Sequence, residues 1–170
     1  MAAPKCRLFL VTPAAADPAR ALECLQAAAE AGDVASILIP AEEPLAAALT
    51  APAQAIGIAV LIEGHWDLAK KVKADGVMIE RLEDYAPARA LLGGAAIVGA
   101  SSASRHAAME LADAGADFIF FADPRLAAWW SEVSVVPCVG GGEFRVPNAS
   151  MWIGPAEARA AVAEAMHDAR

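Results

Sequence analysis

Apolar and polar positions along this chain fall into blocks, and the blocks predict strands and helices in strict succession. The clearest block is IVGASSASRHAAMELADAGADFIFF, from Ile97 to Phe121. An apolar strand through Ile97 and Val98 runs into the small residues Gly99, Ala100 and Ser101, where a ligand could lie close to backbone. A helix then starts at a serine, since Ser102 or Ser104 can accept from the first free N–H groups. Its apolar stripe is Ala107, Ala108, Leu111, Ala112 and Ala114, at helical spacing, and Gly115 ends it. The next strand, Asp117 to Phe121, is apolar without alternation, as in a parallel sheet or barrel wall covered by helices.

The same reading extends along the chain. A first strand spans Arg7 to Thr12, and a helix opened by Asp17 and Pro18 runs to Ala31 and stops at Gly32. Strand two, Ala35 to Ile39, is closed by Pro40; a short helix follows at Leu45 to Leu49, and an apolar third strand at Ile56 to Ile62. Next come a helix from His65 or Trp66 to Val72, a strand from Gly76 to Ile79, a helix from Asp84 to Leu92, and strands at Ala96 to Ala100 and Phe118 to Phe121. Beyond that, Leu126 to Glu132 predicts one or two helical turns, Val135 to Val139 a seventh strand and Met151 to Ile153 a stub of an eighth. The tail, Pro155 to Ala169, is helical. Only Gly140 to Ser150 separate the last two strands, too little for the crossover helix that parallel strands need. The expected fold is therefore α/β, a compact (β/α)8 TIM-type barrel lacking the seventh crossover helix. An open doubly wound parallel sheet is the alternative with the same pattern.

Composition narrows this picture. At 170 residues the chain is expected to be a single domain over 1–170, short for a full barrel of about 200 to 250 residues, so something must be trimmed. No apolar run approaches the roughly 20 residues that span a bilayer, and the start Met-Ala-Ala-Pro-Lys-Cys lacks the pattern of a secretory signal. A soluble, cytoplasmic protein with no membrane partner is the expectation. Cys6, Cys24 and Cys138 are odd in number and far apart, which favours buried reduced thiols over a disulfide framework. The net charge of −8, with no basic block, disfavours nucleic acid. A small anion remains compatible, and so does a homo-oligomer.

Three phrases resemble those of the thiamine-phosphate synthases and their TenI-type thiazole tautomerase relatives. VGASSASRHAAMELADAGADFIFFA follows that family's central strand, helix and "GAD" strand. Leu8-Phe9-Leu10-Val11-Thr12 stands for an opening "LYLVT", and Lys73-Ala74-Asp75-Gly76-Val77-Met78-Ile79-Glu80 for "GADGVHLG". The resemblance is specific in the middle of the chain and fades toward its end.

In such a barrel, ligands meet the loops after each strand. Gly140, Gly141 and Gly142, with Gly154 before Pro155 at the last helix, are candidates to hold a phosphate through backbone N–H groups. A tight chain reversal would use the same residues. The resemblance assigns the glycines after strand seven to a thiazole phosphate, and Ser101 to a pyrophosphate or its departing group. By the same resemblance Glu63 stands near the reacting pyrophosphate, where the family has an asparagine, and Gly64 replaces a magnesium aspartate. Glu83 and Asp84 are candidate Mg²⁺ ligands, the cofactor entering only if the chain turns over, although acidic residues at a helix start also serve as dipole-compensating caps. Arg125 could replace a phosphate-binding lysine or simply pair with Asp123. His106 reads as a helix-surface residue, and at least one of Trp129 and Trp130 as filler for a shortened helix.

Where the family holds pyrophosphate with an arginine and a lysine after strand two, this chain has Ser36-Ile37-Leu38-Ile39-Pro40. Two functions follow. One is a catalytically weak or silent binder of a small phosphorylated or heterocyclic ligand. The other is an active synthase coupling hydroxymethylpyrimidine pyrophosphate to thiazole phosphate.

Overall fold

The computed structural model describes residues 6–141 and 143–167. Eight parallel strands close into a barrel in sequence order: β1 (Arg7–Val11), β2 (Val34–Ile39), β3 (Ala59–Glu63), β4 (Gly76–Ile79), β5 (Ile97–Ser101), β6 (Ile119–Phe120), β7 (Cys138–Val139) and β8 (Phe144–Arg145). Pairing of Leu8 with Arg145 closes the ring, which rules out the open sheet. The helices are α1 (Pro18–Ala31), α2 (Glu43–Ala55), α3 (Trp66–Val72), α4 (Tyr85–Leu92), α5 (Arg105–Ala114), α6 (Pro124–Val133) and α7 (Pro155–His167). One follows every strand except β7, so the crossover expected to be absent is the one absent among the described residues.

The helix starts are chemical. Asp17 caps α1 by accepting from Arg20 N with Pro18 in the first turn, Ser104 caps α5 by accepting from Ala107 N, and Asp123 caps α6 by accepting from Arg125 N. The barrel interior is filled by Phe9, Leu38, Leu61, Met78 and Val139, with the rings of Phe118 and Phe120 each within 6 Å of Phe9. Gly99 leaves room for this filling, since a Cβ there would lie 2.1 Å from the Phe118 ring. Outside the wall, α1, α2 and α7 seal one half of the barrel and α4, α5 and α6 the other.

Three expectations need correction. The third strand starts at Ala59, not Ile56, because α2 continues to Ala55 and ends through Ile56 with Gly57 at φ +82°. Ile56 belongs to an unbroken apolar run, and such a run does not separate a helix end from a strand start. The seventh strand is only Cys138–Val139, and Val135 stands fully exposed. The eighth is Phe144–Arg145, not Met151 to Ile153. Asn148 accepts from Ser150 N and opens a 3-10 turn over Ala149–Trp152, which buries Met151 among the outer helices.

Candidate functional site

The strand ends build a mouth. Val11, Leu38, Glu63, Met78, Ser101 and Phe120, from the ends of β1 to β6, line a cavity of about 600 Å³. Its floor is apolar and its rim polar, the usual construction of a small-molecule site. Glu63 and Ser101 are thus brought to one cavity. Ser101 ends β5, and its hydroxyl has no hydrogen-bond partner among the described residues. Ser102 is occupied otherwise, donating to the Ser104 carbonyl at 2.9 Å.

The loop after β4 adds Glu80 and Arg81 to the same rim. Their signal was available in the strand-end position of Ile79. Arg81 is the one cation lining this mouth among the described residues, and it is engaged: Nη1 lies 2.8 Å from Glu83, and Nε and Nη2 each donate to Asp84 at 3.3 Å. Those bonds hold the guanidinium pKa above its ordinary value. The candidate metal ligands Glu83 and Asp84 therefore face an internal cation. Among the described residues no three His, Cys, Asp or Glu side chains gather into a metal set.

The phosphate candidates do not form one cradle. Gly140 and Gly141 line a second cavity of about 560 Å³ beyond Phe120 and Ala122, which border both cavities. The Gly140 N–H donates to the Phe144 carbonyl at 3.1 Å. Its φ is +113°, and a Cβ there would lie 2.1 Å from the Phe121 oxygen, so a tight reversal by itself requires glycine. Gly142 lies outside the described residues. Gly154 is not among the residues lining these cavities, and the Glu157 carboxylate sits 3.0 Å from where its Cβ would be. Arg125 is 91% exposed and bonds Asp123 through Nε at 3.3 Å and Nη2 at 3.2 Å, which lowers the Asp123 pKa.

After β2, the loop expected to have lost its cations carries an anion with a structural task. The Glu42 carboxylate accepts from the Ala15 N–H at 2.9 and 3.0 Å, strapping the β1–α1 loop where Ala15 has φ +60°. Trp130 is buried, stacks near Phe121 at 5.8 Å and donates to the Val136 carbonyl, while Trp129 carries the Arg105 guanidinium 4.9 Å from its ring centre. His106 is exposed beside Glu110. The cysteines are free and buried, and burial raises the Cys6 and Cys24 thiol pKa values, so neither of these two is set up as a nucleophile.

Residues 8–125 match the family described as thiamine monophosphate synthase. The thiamine-phosphate synthase of Rhodospirillum centenum is 36% identical over 171 residues, covering 87% of this chain and 83% of that one. That of Hyphomonas neptunium is 34% identical over 177 residues, covering 86% and 79%. In three dimensions, the thiamine phosphate pyrophosphorylase of Pyrococcus furiosus superposes with a TM-score of 0.70 over 95% of this chain and 98% of that one, at 19% identity. A structure described as native KDPGal gives 0.71 at 16% identity, covering 95% of each chain. At such identities these superpositions speak for the barrel alone.

Proposed function

Because the chain belongs to the thiamine monophosphate synthase family, we propose that it uses the family's barrel mouth to bind a small phosphorylated or heterocyclic ligand, with little or no synthase turnover. The observation that carries this reading is the charge of the mouth. Glu63 and Glu80 line it, and its one lining cation, Arg81, is bonded to Glu83 and Asp84. Ionisation of a pyrophosphate leaving group needs positive charge placed where negative charge develops, and each lost contact of that kind costs on the order of a few kcal/mol.

Ser101 and Glu63 take the ligand's reactive end in this reading, Ser101 as a hydroxyl donor and Glu63 as an acceptor for ring N–H groups. Gly140 and Gly141 border the space for its phosphate. A divalent cation fits poorly. Mg²⁺ takes oxygen ligands from one or two carboxylates in near-octahedral geometry, whereas Glu83 and Asp84 are already engaged by the guanidinium of Arg81. No step is assigned to a metal.

The second reading is an active synthase joining hydroxymethylpyrimidine pyrophosphate to thiazole phosphate, favoured by the names and extensive coverage of the two curated relatives. Incubating the protein with both substrates and Mg²⁺, and measuring thiamine phosphate, separates the two. Product formation is expected to stay near background. Turnover of roughly 1 per second or faster establishes the second reading instead.

A further inference from the structure

We propose that Arg145 is this protein's anion anchor, a side-chain clamp for a phosphomonoester in the space opened by the missing crossover helix. The inference rests on the reading that the barrel takes a small phosphorylated ligand, and it names the group that holds the phosphate.

Only residues 140–143 join β7 to β8, so the wall that other strands cover with a crossover helix is open here. The opening is the second cavity, bordered by Ala122 and Pro124 on one side and by Gly140, Gly141 and Arg145 on the other. Among the described residues Arg145 is its single charged lining residue, in a chain whose net charge is −8. The mouth cavity, by contrast, is lined by the two glutamates Glu63 and Glu80 beside Arg81. Anions should prefer the cavity whose field is undiluted by carboxylates.

The second observation concerns one atom. Arg145 Nε is enclosed, yet it has no hydrogen-bond partner among the described residues, and no carboxylate there forms an ion pair with this guanidinium. An enclosed donor left without an acceptor is costly and rare in a folded protein. A guanidinium presents N–H groups in a planar fork that matches two oxygens of a phosphate. An anion in this cavity would satisfy the orphaned Nε–H and add a charge-assisted bond.

The glycine backbone is less suited to the task. Gly140 has spent its N–H on the Phe144 carbonyl, leaving Gly141 as the described glycine whose amide could assist. Phe120 and Ala122 border both cavities, so a ligand with its ring in the mouth can extend a short arm past them toward Arg145. Glu143 lines a different cavity, on the other side of Gly141 with Ser131 and Cys138.

Inorganic phosphate is the probe. In ¹H–¹⁵N spectra of the whole protein, the Arg145 Nε–H resonance, assigned by its loss in Arg145→Lys, should move saturably as phosphate is added. By calorimetry, Arg145→Met should weaken phosphate at least tenfold, whereas Arg159→Met, which removes an exposed cation of α7 outside this cavity, should stay within about threefold of the parent. An Nε–H signal that phosphate leaves unmoved overturns the proposal, and so does parental affinity in Arg145→Met. Should Arg145→Met fail to fold, the titration of the parent decides alone. If Nε–H responds while no heterocycle binds in the mouth, the anchor stands and the proposed function falls.

Discussion

Two aspartates carry the phrases on which the family resemblance rests, and their work is structural. Asp75 accepts from the Val60 N–H at 2.7 Å while its own N–H donates to the Val60 carbonyl at 2.8 Å. Asp117 repeats this with Val98, at 2.8 Å in both directions, and its carboxylate also holds Arg89 at 2.8 Å. Each aspartate thus latches the start of one parallel strand to its neighbour, satisfying a backbone N–H that precedes the regular ladder. The "GAD" phrase was legible because the barrel demands it at strand entry, which is why it named the fold more securely than the chemistry. Replacing Asp117 with Ala leaves the N–H of buried Val98 without its acceptor, a loss of about 1–3 kcal/mol. Urea denaturation should show that loss, with Asp117→Asn losing less because the amide oxygen can still accept. Equal midpoints for Asp117→Ala and the parent would remove the latch from the account.

At the scale of elements, what the sequence displayed were the helices and strands whose ends carry local chemistry. Asp17 with Pro18 announced α1, and Gly115, at φ +115°, announced the end of α5. The eighth strand carried no such mark, because two residues have no periodicity and Phe144–Arg145 is a strand only by pairing with Arg7 and Leu8 of β1 and with Val139 of β7. The same holds for the candidate site. Glu63 and Ser101 could be found by counting to strand ends, whereas Arg145 acquires its surroundings from a helix that is missing and a strand defined by distant partners. This weak corner has a dynamic consequence. β7 and β8 share a single register pair, Val139 with Phe144, and no crossover helix covers them, whereas β2 and β3 pair along four residues beneath α1 and α2. Local opening is easiest where buried apolar contacts and ladder bonds are fewest. Hydrogen exchange at Gly140 should therefore be much faster than at Ile37 or Leu61. Equal protection would mean that the β7–β8 corner opens only with the whole barrel.

For the molecule as a whole, the governing quantity is charge, since the eight-stranded barrel closes while its mouth carries carboxylates. A chain at −8 already disfavours a diphosphate at long range, and Glu63 and Glu80 add to that at the rim. Both are exposed, so their combined effect on a bound diphosphate is screened to on the order of 1 kcal/mol, about fivefold in affinity. The comparison that isolates this effect is hydroxymethylpyrimidine against its diphosphate, because the shared ring cancels packing in the mouth. The parent should hold the diphosphate no better than the alcohol. The double variant Glu63→Gln, Glu80→Gln should shift the ratio about fivefold toward the diphosphate at low salt, and the shift should shrink at 0.5 M salt, where the screening length is only about 4 Å. Arg81 gives the same experiment a second arm. It is bonded to Glu83 and Asp84 rather than to the rim glutamates, so the double variant leaves its pairs intact, and any gain is attributable to removed repulsion rather than to a freed guanidinium. A ratio that stays at the parental value in calorimetric titrations would place the diphosphate away from Glu63 and Glu80, and with it would go the electrostatic reason for expecting a quiet synthase.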